Sequence, residues 1–120
     1  MKVVVTSSGE GLDSQVDPRF GRAAQFILVD TETGVSRAVD NSAGVAAAQG
    51  AGVQAAETVS RLGAECLITG HCGPKAFRTL DAAGIAVYTG ASGTVAEAIS
   101  QLEGGGLTRA SGPDVGGHWG

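Results

Sequence analysis

Two short stretches hold most of the residues that could do chemistry. One is Thr69-Gly70-His71-Cys72-Gly73-Pro74-Lys75. The other runs from Ser7 to Arg22 and contains Ser7, Ser8, Gly9, Arg19 and Arg22. His71 and Cys72 are metal-capable side chains at adjacent positions. A thiol at a helix start can ionise more readily than an ordinary one, so Cys72 is also a candidate redox group. One His and one Cys fall short of the three or four side chains that a protein-built metal site takes. A metal bound here is therefore expected to arrive inside a preformed anionic cluster. Arg19, Arg22, Lys75 and Arg78 are four of the eight basic residues, and all flank the two stretches. Glu10, Asp13 and Asp17 dilute that charge and could pair with Arg19 and Arg22. Backbone N–H groups of glycine loops, helped by guanidinium groups, suit an anion of modest size. Neither stretch carries the phosphate-loop or the dinucleotide-binding glycine pattern.

The elements that must position these loops are legible from periodicity. Lys2 to Thr6 is a β-branched run suited to a strand buried on both faces. Gln25 to Asp30 is a second strand, and Val35 to Asp40 alternates like a half-exposed edge strand. Thr31-Glu32-Thr33-Gly34 between them reads as a hairpin turn, with Gly34 at positive φ. Asn41 to Gln49 is a small, flexible stretch. A helix is predicted from about Gly50 to Leu62, with Val53, Ala56, Val59 and Leu62 inward. Glu65 to Thr69 is the fourth strand. Pro74 suits the first position of the next helix, which packs through Ala76, Phe77, Leu80 and Ala83 and stops at Gly84. Ile85 to Thr89 is the last predicted strand. Thr94 and Glu97 have capping-box spacing and open a helix with Val95, Ala98, Ile99 and Leu102 inward. Residues 1–103 thus form one α/β domain, and the Gly-rich residues 104–120 read as a flexible tail.

The element order is β-β-β-α-β-α-β-α. Tight connections make the first three strands antiparallel, and helical crossovers make the later ones parallel. The simplest result is a five-stranded mixed sheet of order 3-2-1-4-5 with helices on both faces. The first and fourth strands then flank a topological switch point, where open α/β sheets bind ligands. The loops meeting there are the two chemical stretches.

Composition narrows the function further. The 120 residues carry a net charge of −4, which disfavours nonspecific binding to nucleic acid or anionic membrane. Nineteen alanines and 20 glycines against 4% aromatics point to thin helices packed closely on the sheet. Cys66 and Cys72 lie at opposite ends of one strand and make no disulfide framework. Cys66 reads as a small core residue, as do Phe20 and Phe26. No signal peptide or membrane span is visible, so a cytoplasmic protein with reduced thiols is expected, and since no long apolar face is left over, a monomer.

The motifs Leu12-Asp13-Ser14-x-Val16-x-x-Arg19-Phe20-Gly21-Arg22-Ala23, Phe26-Ile27-Leu28-Val29-Asp30, Gly70-His71-Cys72-Gly73-Pro74-Lys75-Ala76-Phe77 and Gly93-Thr94-Val95-x-Glu97-Ala98 carry a resemblance. Over residues 1–103 the chain resembles the dinitrogenase iron–molybdenum cofactor-binding proteins. That resemblance implies a ribonuclease-H-like fold. It also implies, from the Gly-His-Cys-Gly-Pro-Lys-Ala-Phe stretch, noncovalent binding of a molybdenum–copper sulfide cluster and association with cytoplasmic ATPases of the cell-division or iron–sulfur type. Family members that carry nitrogenase cofactor precursors have His directly before the Phe-Gly pair. Arg19 stands there in this chain, which favours electrostatic capture of an anionic cluster over histidine ligation.

The leading expectation is a noncatalytic carrier that holds such a cluster between residues 7–22 and 70–75. Alternatives from other classes are a thiol-redox or regulatory role for Cys72, a pure interaction protein partnering an ATPase, and a phosphoester hydrolase. The last needs several carboxylates around magnesium on the central strands. The predicted strand interiors carry none, and Asp30 and Asp40 fall at strand ends.

Overall fold

The computed structural model describes residues 1–46 and 49–111. The strands are β1 (Lys2–Ser7), β2 (Gln25–Asp30), β3 (Ser36–Asp40), β4 (Cys66–Ile68), β5 (Ala86–Thr89) and β6 (Thr108–Arg109). The helices are α1 (Ser42–Ala46), α2 (Ala51–Arg61), α3 (Pro74–Ala82) and α4 (Val95–Glu103). They form one mixed sheet of order β3-β2-β1-β4-β5-β6. β1–β2 and β2–β3 are antiparallel, whereas β1–β4 and β4–β5 are parallel.

The expected 3-2-1-4-5 order is present, but the sheet has six strands, not five. β6 pairs antiparallel with β5, Tyr88 opposite Arg109 and Thr89 opposite Thr108. The Ala110 N–H donates to the Val87 carbonyl at 2.7 Å. Leu107 and Ala110 pack against opposite faces of the sheet. Residues 104–111, expected to begin a flexible tail, therefore extend the domain, and residues 112–120 lie outside the described ones. A two-residue strand after three glycines offers no alternation to read. The helix α1 is likewise additional. It falls in the stretch expected to be flexible, of which residues 47 and 48 lie outside the described ones.

β1 is central because Val3, Val4 and Val5 are all 0% exposed, so both faces of the strand are covered. Val4, Phe26, Leu67 and Val87 belong to the core under α2 and α3. Val3, Val5, Ile27 and Ile68 belong to the second core under α4. The rings of Phe20 and Phe26 meet in the first core with centroids 6.1 Å apart. Gly34 closes the β2–β3 turn at φ 77°.

α2 turns inward a face that overlaps the expected one: Ala56 and Val59 are buried as predicted, and Leu62 packs against the first core. Ala51, Gly52, Ala55, Ala56 and Val59 are buried, while Val53 and Leu62 are only half-buried. Its small residues face inward because the backbone of another segment presses on them. A Cβ on Gly21 would stand 2.7 Å from the Gly52 nitrogen. Ala83, expected inside, is the exposed C-cap of α3. The capping box of α4 is formed. Glu97 N–H donates to Thr94 Oγ1 at 3.1 Å, and Thr94 N–H donates to Glu97 Oε1 at 2.9 Å. The Thr94 backbone N–H first, and then the Thr94 hydroxyl, hold the Glu97 carboxyl below the usual carboxylate range.

Thr94→Ala is expected to cost about 1 kcal/mol of stability in denaturant titration. Because the native Glu97 carboxyl is the stronger acid, its contribution is complete above the unfolded-state value and is lost as pH falls through the lowered native one. Glu97→Gln should therefore flatten the acid limb of the stability profile, and an unchanged limb would contradict the capping box.

Candidate functional site

β1 and β4 run parallel, so their carboxyl ends lie side by side. Thr6 and Thr69 stand there, both fully buried, with hydroxyl oxygens 2.9 Å apart. The Thr6 hydroxyl donates to the Asp17 carbonyl at 2.7 Å, and the Asp17 N–H donates back to the Thr6 carbonyl at 2.9 Å. A hydroxyl has one proton, so with Thr6 committed to Asp17 the Thr69 hydroxyl supplies the other bond. This buried pair fixes the returning loop over the end of β1.

Pro18 then lies directly on Gly70. A Cβ on Gly70 would stand 2.6 Å from Pro18 Cα and 2.8 Å from its carbonyl oxygen. The His71 N–H donates to that carbonyl at 2.8 Å, and Arg19 pairs with His71 in an isolated parallel bridge. The two chemical loops are thus joined backbone to backbone. The glycine at 70 gives close approach, as its type suggested, but the group that approaches is Pro18.

Arg19 is held at its base and open at its tip. Its backbone N–H donates to Asp17 Oδ1 at 3.0 Å, and its Nε lies 3.5 Å from the same oxygen. The Asp17 side chain is 8% exposed, whereas that of Arg19 is 55% exposed. Asp17 therefore anchors a guanidinium that still faces solvent, on a residue whose backbone pairs with the half-buried His71. The loop is followed by α3, whose N-cap Gly73 provides no side-chain cap and whose first residue is Pro74. Its positive end adjoins the joined loops. Lys75, exposed in its first turn, adds a further cation.

α4 presents a closed N-terminus by comparison. Its Val95 and Ala96 N–H groups donate to the carbonyls of Ser14 and Leu12, each at 2.9 Å. Residues 8–16 are therefore spent on seating the loop against α4. Ser7, fully buried, donates its hydroxyl to the Gly9 carbonyl at 2.8 Å and accepts the Gly9 N–H at 3.2 Å. The Ser8 hydroxyl donates to the Gln15 carbonyl at 3.2 Å. Ser7, Ser8 and Gly9 thus shape their own turn.

Of the residues singled out in sequence, the fold brings Arg19, Gly70 and His71 together, with Gly73 and Lys75 following. It directs Arg22 elsewhere. The Arg22 guanidinium donates to the carbonyls of Gly44 and Val45 at 3.4 and 3.2 Å. The Asn41 amide holds the neighbouring Gly21 and Ala23 carbonyls at 3.2 and 2.8 Å. Cys72 is 1% exposed and packs in the first core with Phe20 and Ala76, so its thiol does not meet His71 at the surface. Cys66 is buried beside Met1, and burial first, then Glu65, pushes its thiol pKa up. Among the described residues no three His, Cys, Asp or Glu side chains converge as a metal site. Asp30 sits opposite Lys2 and Asp40 opposite Gln25, at opposite ends of the sheet.

Sequence reasoning missed the roles of Thr6, Thr69 and Pro18. Each works through backbone geometry at the β1–β4 junction. A Thr at the end of each of two parallel strands was the available signal, and it means nothing until those strands are neighbours.

A family model for the dinitrogenase iron–molybdenum cofactor matches residues 1–105. The chain belongs to this family. It is similar in structure to the apo form of the orange protein from Desulfovibrio gigas, with 45% identity, a TM-score of 0.92, and coverage of 94% of this chain and 95% of that one. It is also similar to a NifB-like protein from Thermotoga, with 41% identity, a TM-score of 0.79, and coverage of 90% and 91%. An uncharacterized protein of Methanocaldococcus jannaschii is 28% identical over 90 residues, 72% of this chain and 75% of that relative. As in the sequence reading, this family member has Arg19 immediately before Phe20-Gly21.

Gly70→Ala is expected to destabilise the protein by roughly 1–3 kcal/mol, because backbone rather than a flexible side chain opposes the new methyl. A wild-type melting temperature would contradict the loop junction. Both thiols should react slowly with a disulfide reagent in the native protein and fully in denaturant. Rapid native modification of Cys72 would instead restore the thiol-redox reading.

Proposed function

We propose that the protein is a noncatalytic carrier of an anionic metal–sulfur cluster, held noncovalently as cargo against the joined loops. The observation that carries this reading is the Pro18–Gly70 junction, which pairs the backbone of Arg19, whose guanidinium is open to solvent, with that of His71 just before α3, a helix without a side-chain cap. Membership of the dinitrogenase iron–molybdenum cofactor family supports a cofactor-binding role of this kind. The likeness to the orange protein supports a molybdenum–copper sulfide cluster as the cargo.

The donor set fits capture rather than construction. His71 is the one imidazole in the loops and the Cys72 thiol is buried, so among the described residues there is no nest of protein ligands for bare ions. A cluster that already carries its own sulfide ligands needs only charge and hydrogen-bond donors. Arg19 and Lys75 supply the charge beside the half-buried His71, while the buried Gly70 and Gly73 shape the loop beneath them. Ser7, Ser8, Gly9 and Arg22 act behind them by holding the loop in shape. The sheet order supports a ribonuclease-H-like reading of the fold, and among the described residues no three His, Cys, Asp or Glu side chains gather as hydrolysis on such a fold would need. We place the carrier in the cytoplasm as a monomer that exchanges cargo with ATPases of the cell-division or iron–sulfur type. Among the described residues no helix is long and apolar enough to cross a membrane.

The test is metal and sulfide analysis with an absorption spectrum, before and after adding thiomolybdate and copper. The expected result is molybdenum and copper at fixed stoichiometry with visible charge-transfer bands. Arg19→Ala should weaken retention roughly 10- to 100-fold, the loss expected for one charge-assisted contact. Retention should also fall with rising ionic strength. Colourless, metal-free protein in both samples would overturn the carrier reading.

A further inference from the structure

A second surface begins where the first ends. Lys75, Arg78, Thr79 and Ala82 of α3 line a shallow groove with Val53 of α2. Counted from Lys75, these α3 positions are i, i+3, i+4 and i+7, so they form one stripe along the helix. At about 1.5 Å per residue the stripe runs roughly 10 Å away from the glycine loop. Lys75, Arg78 and Ala82 are exposed, and Val53 and Thr79 are half-buried. Among the described residues the charged ones lining the groove are its two cations. Among the described residues neither has an ion-pair partner, in a chain of net charge −4.

We propose that this α2–α3 groove is a docking site for an acidic, amphipathic peptide segment of a partner protein. Charge complementarity selects the class. Carboxylates three or four residues apart on a helical segment would meet Lys75 and Arg78, and an apolar side chain between them would cover Val53 and Ala82. Nucleic acid fits less well. Two cations neutralise few phosphates, and no aromatic ring lines the groove for base stacking. Thr79 donates its hydroxyl to the Lys75 carbonyl at 3.0 Å, so its polar group is satisfied within the helix and its methyl is left to the groove. Lys75 belongs both to this groove and to the first turn after the glycine loop. A partner seated there would lie beside the loop junction.

The probe is a fluorescein-labelled helical peptide of about four turns with Glu and Leu on one face. It is titrated into the apo protein at low ionic strength and followed by anisotropy. The acidic peptide is expected to bind, and Arg78→Glu and Lys75→Glu are each expected to weaken it roughly tenfold. A peptide with Lys in place of Glu should bind the doubly reversed protein better than the wild type. Amide NMR signals of Val53, Thr79 and Ala82 should shift on binding. Absence of binding, equal binding by Arg78→Glu, or tighter binding of single-stranded oligothymidine of matched length would each overturn the proposal. Because the apo protein is used, failure of the peptide titration is separate from failure of the carrier reading.

Discussion

The contact between Pro18 and Gly70 is the constraint on which the site depends. There is no room for a side chain at Gly70, and the His71 N–H completes the junction by donating to the Pro18 carbonyl. Everything nearby serves this approach. Thr6 and Thr69 tie the ends of β1 and β4 beneath it, and Asp17 is fixed by the Thr6 hydroxyl and backbone. Asp17 in turn anchors Arg19. The chain from sheet to guanidinium is short and buried until its last group. Such an arrangement presents charge at a defined place without ordering a long side chain from solution.

The loop between β1 and β2 is divided between two jobs. Its first half seats on α4 and satisfies that helix's N-terminal donors. Its second half presses on α2 through Gly21 and Gly52, and Arg22 and Asn41 tie it to the short helix α1. The result is one closed helix start, at α4, and one without a side-chain cap, at α3. The asymmetry is what gives the switch point a polarity. Lys75 also stands on the α3 side, and Arg78 continues the positive stripe along that helix.

The sequence by itself determined the central strands, the loop positions and the family. A run of three valines buried on both faces, a glycine at the hairpin turn and a Thr-x-x-Glu cap each have a local cause, so each was legible. The likeness carried by Phe20-Gly21, Gly70 to Phe77 and Gly93 to Ala98 was legible for the same reason, since it is written in contiguous residues. Only the tertiary structure decided which of those residues share a site. Arg19 and Arg22 are three apart and look equivalent, yet one pairs with Asp17 and stays open to solvent while the other donates to carbonyls of α1. His71 and Cys72 are adjacent, yet the thiol belongs to the core. β6 and the small-residue face of α2 exist because a neighbouring strand and a neighbouring loop lie against them. Side-chain direction and long-range pairing arise from what packs on a segment, and that information is not local to it.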